Sequence, residues 1–198
     1  SVAAMGVEIA VVLGGGNFWR YRDQKDIKLP RPASDQIGML ATLMNALVLA
    51  NALNTSGIDA HPFSAFTVES LLPHYHIFTA RRLLGEKKVV LLGGGTGSPF
   101  FTTDTTAALR AAELECDVIL KATKVDGVYD ADPEKNPEAK KFSELTFPEA
   151  IEKNLQVMDQ TAFALAAENK IPIIVFDGFT SGNLKKILQG EQVGTIIQ

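Results

Sequence analysis

Two stretches of this chain carry an apolar run straight into three consecutive glycines. Val7–Leu13 (VEIAVVL) leads into Gly14-Gly15-Gly16, and Lys88–Leu92 (KVVLL) leads into Gly93-Gly94-Gly95. A short, continuous run rich in β-branched residues suits a strand buried on both faces, the kind that parallel sheets contain. Glycine has no Cβ, so the backbone after such a strand can turn tightly and present bare N–H groups. At the carboxyl end of a parallel strand, before a helix, those donors face an anion. One Gly-Gly-Gly is as easily a plain tight turn. Two copies after strands of the same type point to two anion sites facing each other. That is the geometry a group transfer between two phosphorylated substrates needs. The echo between IAVVLGGGN and KVVLLGGGTG reads as one structural need met twice, not as a repeat array.

The rest of the chain alternates in the same way. Residues 20–33 are polar, carry Pro30 and Pro32, and read as a mobile loop. Ser34 or Asp35 is placed to cap a helix through Ile37, Leu40, Met44, Leu47 and Val48, closed near Asn54 by Gly57. Strands are expected near Ile58–Phe66, Asp117–Leu120, Pro172–Phe176 and Gly194–Ile197. Helices are expected in part of Val68–Leu84 (broken by Pro73) and over Thr105–Leu114, Phe147–Leu155, Gln160–Asn169 and Leu184–Leu188. Thr103 or Asp104 would cap the helix at Thr105, and Asp126-Gly127 predicts a hairpin over Val125–Tyr129. Strands alternating with helices argue for an α/β fold with a largely parallel sheet, and no linker divides it.

Composition narrows the function. The 198 residues carry a net charge of −4, which disfavours a strongly basic nucleic-acid binder. One cysteine, Cys116, excludes an internal disulfide framework and a CxxC zinc site, and it reads as a small packed hydrophobe in a reducing compartment. The apolar runs look shorter than the roughly 20 residues of a membrane helix, and no basic-then-apolar leader opens the chain. His74 and His76 stand two apart with no evident third ligand. Glu134–Lys141 mixes charge signs and reads as a solvated loop.

The glycine loops fail the usual nucleotide signatures. Neither continues to the GK[ST] of a P-loop, and neither matches the G-x-G-x-x-G of a dinucleotide site. The second loop runs on as Thr96-Gly97-Ser98-Pro99-Phe100-Phe101-Thr102-Thr103-Asp104. Its hydroxyls and amides can hold a phosphate and the edge of a base. Each phenylalanine is either a ring platform or ordinary core, and Thr103 and Asp104 suit capping as well as chemistry.

GGGN at Gly14–Asn17, Asp35 ahead of GMLAT (Gly38–Thr42), GTGSPFFTTDT (Gly95–Thr105) and LKATKVDGVYDADP (Leu120–Pro133) occur in that order. VMD at Val157–Asp159, IPIIVF at Ile171–Phe176 and GEQVGT at Gly190–Thr195 follow. The series resembles the bacterial-type UMP kinases of the amino acid kinase superfamily, over essentially the whole chain. The resemblance implies one three-layer α/β domain over residues 1–198 and the reaction ATP + UMP → ADP + UDP, with Mg²⁺ accompanying ATP. It implies that Gly15 and Asp35 contact UMP, Asp35 at the ribose hydroxyls. Thr96, Gly97, Ser98, Pro99, Phe100, Phe101, Thr102 and Thr103 would wrap the uracil and the acceptor phosphate. Gly16 and Arg20 would lie by the transferring phosphates, and Asp104 would organise the phosphate-binding groups. Thr123, Tyr129 and Asp132 would line the adenosine side. It further implies a homohexamer with UTP inhibition and, as in many members, GTP activation; the cysteine usage, charge and apolar runs point in turn to a cytoplasmic setting with neither nucleic acid nor membrane as partner.

These roles fit phosphoryl transfer, in which positioning and charge neutralisation dominate. Arg20 can grip phosphate oxygens bidentately, as a lysine cannot. Ser98 stands where the family usually has asparagine, and YRDQKDIKLPRP after Arg20 lacks the common Arg-Gly continuation. Ser64–Tyr75 follows the family only loosely. The family's opening strand and its Lys-x-Ser-Gly-Glu loop are expected upstream of Ser1 in the biological protein. Lys121 and Lys124 are the nearest cations in sequence to stand in for that lysine. Two other functions compete: a related kinase acting on a carboxylate, and a non-catalytic nucleotide-sensing module.

Overall fold

A computed structural model describes residues 2–23, 27–68, 70–133, 135–153, 155 and 157–198. Gln24–Asp26 of the expected mobile loop, Glu69, Glu134 of the charged stretch, and Asn154 of the expected helix to Leu155 lie outside the described residues. The chain clusters into two compact units, Ser1–Thr106 and Ala107–Gln198.

The first unit is built on three parallel strands in the order β1 (Ala10–Val12), β3 (Val89–Gly93), β2 (Ala60–Ser64). Parallel neighbours need crossovers, and helices supply them. The first is α1 (Arg31–Thr55), which packs on β2 and β3; the second is α2 (Ile77–Gly85), which packs on β3. The central strand β3 is buried along its whole length, as its unbroken apolar letters predict. Burying each of Val90, Leu91 and Leu92 contributes about 1.5–3 kcal/mol. Ala50, Ala60, Val89 and Leu91 form one core cluster, with Val11, Leu49 and Leu53 packed against it.

Two expectations about α1 need correction. The helix begins at Arg31 behind Pro30, with no side-chain cap, so Ser34 and Asp35 lie inside it. Pro32 in the first turn explains the earlier start, since proline is pre-set for helix φ and its missing N–H is no loss there. The apolar runs are also longer than they looked. No charged residue stands between Asp35 and Asp59, and α1 is by length and composition alone long enough to cross a bilayer. Its alanine-rich inner face (Ala41, Ala46, Ala50, with Leu43) is buried, while Leu40, Met44 and Val48 form an exposed stripe at four-residue spacing.

The second unit contains α3 from Ala107 on (the helix spans Thr103–Leu114), β4 (Ile119–Thr123), β5 (Glu144–Leu145), α4 (Phe147–Glu152), α5 (Gln160–Glu168), β6 (Ile173–Asp177), α6 (Asn183–Leu188) and β7 (Thr195–Ile197). Its sheet runs β4-β6-β7-β5, parallel except for the β6–β7 pair. The fold is therefore mixed α/β with sheets dominated by parallel pairing. Its strands fall into two sheets. Ala108, Ala111, Ile173, Ile197, Phe147 and Phe163 lie at the second core, and Cys116 packs against it as a small apolar group. The reciprocal Thr146–Glu149 capping box starts α4, and the Glu149 carboxyl is held below its ordinary range by the Thr146 N–H and hydroxyl.

Candidate functional site

Register places the two glycine loops side by side. Val12 of β1 pairs with Leu92 of β3, so both strands release their glycines at the same edge of the first unit's sheet. A Cβ built on Gly14 would lie 3.5 Å from the Thr103 hydroxyl, an ordinary contact distance. The start of the first loop thus faces the start of α3. Gly15 is buried, and its carbonyl accepts from the Phe18 and Trp19 N–H groups at 3.0 Å. The Asn45 side chain donates to the Gly14 carbonyl at 2.7 Å and exchanges two hydrogen bonds with Asn17. Arg20 Nε donates to the Gly16 carbonyl at 2.7 Å, which folds the guanidinium back over the loop.

The second loop is held by side chains of α1. Thr42, buried, accepts from Gly94 N–H at 2.6 Å and donates to the Met39 carbonyl at 2.7 Å. Asp35 accepts from Phe100 N–H at 2.9 Å. The Thr96 hydroxyl accepts from Ser98 N–H and donates to the Ser98 carbonyl, and Gly97 N–H reaches the Gly94 carbonyl. α3 starts two residues earlier than expected, at Thr103, and the cap is Thr102, whose hydroxyl accepts from Thr105 N–H at 3.1 Å. Asp104 therefore sits in the first turn, where a carboxylate complements the helix dipole. Phe100 and Phe101 are 65% and 51% exposed, so neither is core. Trp19 donates to the buried Ser34 hydroxyl at 2.8 Å.

The unit thus gathers Gly15, Gly16, Arg20, Asp35, the 96–103 loop and Asp104 around one sheet edge. Its backbone donors, hydroxyls, one guanidinium and two carboxylates suit an anionic ligand with a polyol. A separate cavity of about 340 Å³ lies along α1, lined by Phe18, Trp19, Leu40, Leu43, Met44 and Leu71. It is almost wholly apolar and holds none of these groups.

Thr123, Tyr129 and Asp132 belong to the second unit. Thr123 ends β4, beside Asp177 at the end of the parallel strand β6, and its hydroxyl donates to the Val125 carbonyl. The expected hairpin over Val125–Tyr129 is not formed. Gly127 is extended, and a Cβ there would meet the Thr195 hydroxyl at 2.6 Å and Lys141 at 2.9 Å. Close packing, not a left-handed turn, requires that glycine. Tyr129 instead bridges to Lys141 across a wider loop. Its hydroxyl donates to Asp126 at 2.6 Å, and Lys141 donates to the other carboxylate oxygen at 2.8 Å. Those two donors, Lys141 first, hold the Asp126 carboxyl below its ordinary range, and Asp126 pushes the Tyr129 phenol up. Asp132 accepts Lys135 and Asn136 N–H groups at its carbonyl and pairs with Lys135 at 3.1 Å. Lys121 donates to the Val157 carbonyl. Among the described residues no group of three or more His, Cys, Asp or Glu could hold a metal ion.

Residues 1–177 match the amino acid kinase family. The chain belongs to that family. A curated uridylate kinase from Parabacteroides distasonis is 48% identical over 99% of this chain and 83% of its own length. Among solved structures, the UMP kinase of Bacillus anthracis superposes with a TM-score of 0.97 at 34% identity, over 100% of this chain and 82% of that one. The UMP kinase of Ureaplasma parvum gives 0.92 at 36% identity, over 100% and 88%.

Three supporting roles in this amino acid kinase escaped the motif reading, although Thr42 itself closes the GMLAT stretch. Thr42 and Asn45 act on backbone atoms of the glycine loops 52 and 31 residues away, and no local pattern announces that. Arg31 pairs with Asp35, and its four-residue spacing was a readable signal.

Proposed function

We propose that this amino acid kinase transfers the γ-phosphoryl group of MgATP to UMP, giving ADP and UDP. The observation that carries it is the meeting of Gly14 with Thr103, in a chain nearly half identical to a uridylate kinase. In this reading Asp35 accepts the ribose hydroxyls, and Gly15 with the loop from Thr96 through Gly97, Ser98, Pro99, Phe100, Phe101 and Thr102 to Thr103 encloses the pyrimidine and its phosphate. An oxygen of that phosphate attacks the γ-phosphorus as the bond to the ADP oxygen breaks. Gly16 and Arg20 offset the charge gathered there, and Asp104 orders the amides and hydroxyls around it. Thr123, Tyr129 and Asp132 take the adenosine end. Mg²⁺ enters as part of the MgATP substrate. The two units work as one kinase domain, in the cytoplasm, as a homohexamer inhibited by UTP and activated by GTP. The exposed, uncharged stripe of α1 supports self-association, because like faces can meet there without charge repulsion.

The test offers MgATP with UMP, CMP, N-acetylglutamate and aspartate to the chain, alone and extended by an upstream lysine loop, and follows ADP and UDP. UDP formation is expected. Phosphorylation of an amino acid but not UMP overturns the reading. UMP binding by calorimetry with no turnover in either form favours the sensing module.

A further inference from the structure

Arg31 sits where helix physics does not favour it. It is the first residue of α1, where a cation works against the helix dipole, and it precedes its partner Asp35 in the weaker orientation of an i,i+4 pair. Yet it is tightly engaged. Its Nε lies 2.7 and 2.8 Å from the two Asp35 oxygens, and its guanidinium carbon lies 5.1 Å from the centre of the Tyr21 ring. The Asp35 side chain is only 16% exposed, and its Oδ2 also receives Phe100 N–H. Phe100 stands at φ +72°, a left-handed conformation that a bulky residue adopts only when its surroundings impose it. The charge-assisted bond from Phe100 N–H to Asp35 is such an imposition.

We propose that Arg31, Asp35 and the Phe100 amide form a latch that fixes the left-handed bend of the acceptor loop, and that Arg31 is a positioning residue for the nucleotide bound there. The proposal deepens the reading of Asp35 and residues 96–103 as the UMP site and rests on it. Arg31 acts through Asp35. It holds the carboxylate so that Oδ2 serves the loop while capacity remains for a ribose hydroxyl, a carboxylate offering about four acceptor positions. Tyr21 steadies the guanidinium from its other side.

The test compares Arg31→Gln and Arg31→Lys in the full chain, with Phe100→Gly as a second background. Without any nucleotide, Arg31→Gln should raise hydrogen exchange at the Phe100 amide, while the thermal midpoint of the fold stays close to that of the unsubstituted protein. UMP affinity by calorimetry should fall about tenfold and ATP affinity should change less than about twofold. Arg31→Lys should recover much of the loss, because it restores a cationic donor. In the Phe100→Gly background, where the bend needs no enforcement, Arg31→Gln should matter far less. Unchanged exchange at Phe100 in Arg31→Gln, or equal loss of UMP and ATP affinity, overturns the latch. Raised exchange in a protein that binds no UMP overturns the reading of the site and leaves the latch in place.

Discussion

Gly15 and Gly94 each follow a parallel strand of the same sheet, but β1 is only half-buried where β3 is buried throughout, and the backbone asks different things of the two glycines. None of Gly14, Gly15 and Gly16 stands at positive φ, whereas Gly94, Gly95 and Gly97 stand at +84°, +60° and +85°. What the first loop needs is room. A Cβ on Gly15 would lie 2.6 Å from the Gly38 carbonyl oxygen and 2.9 Å from Ala41 Cβ, inside the backbone of α1. What the second loop needs is handedness, because successive left-handed residues turn the chain tightly enough to carry hydroxyls and amides back toward α3. The same letters thus arise from close approach in one case and from torsion in the other. One segment of α1 serves both. Gly38 to Thr42 lies against Gly15, and the Thr42 hydroxyl receives Gly94 N–H.

The largest expected effect lies in the first loop. Gly15→Ala forces the α1 backbone to move and should destabilise the protein by about 3 kcal/mol, with loss of UMP binding. Urea unfolding and calorimetry read both. A loss below about 1 kcal/mol would mean that α1 does not approach the loop as described. Gly94→Ala should come next, at about 2 kcal/mol. It combines a left-handed φ with a Cβ 2.9 Å from Ala65 N. If Gly94→Ala costs more than Gly15→Ala, the contrast between room and handedness is wrong.

Such contrasts mark the limit of what letters convey. β1, β3, β6 and β7 were legible because short apolar runs with β-branched residues have few other uses; β2 (AHPFS) and β4 (ILKAT) lack such a run, yet all six fall within or near the stretches expected. Hydropathy does not say which strand pairs with which, so the division into two sheets was hidden. β5, two residues long, gave no period to find. Motif residues named the two glycine loops that the first sheet brings to one edge, but not the atoms that hold them. Phe100 meets Asp35 across 65 residues, and the cap of α3 fell to Thr102 from a row of three eligible side chains. At Asp126-Gly127 a turn signature was present and a hairpin was not, because packing against Thr195 had already claimed the glycine.

The finest discrimination comes from Gly95 and Gly38, where the environment is open and only the backbone differs. A Cβ on Gly95 meets nothing nearer than 3.7 Å, so Gly95→Ala is a measure of handedness without crowding. Its φ of +60° should make it cost about 1 kcal/mol, half the effect at Gly94. Gly38 lies inside α1, with nothing within 4 Å of a built Cβ. There alanine restricts the unfolded chain and suits the helix, so Gly38→Ala should stabilise by about 0.5–1 kcal/mol. Equilibrium urea unfolding of the two variants side by side should move the midpoints in opposite directions. A destabilised Gly38→Ala would show that α1 meets a further surface in solution at that position, and the same variant run at two protein concentrations would detect it, since association makes the midpoint depend on concentration.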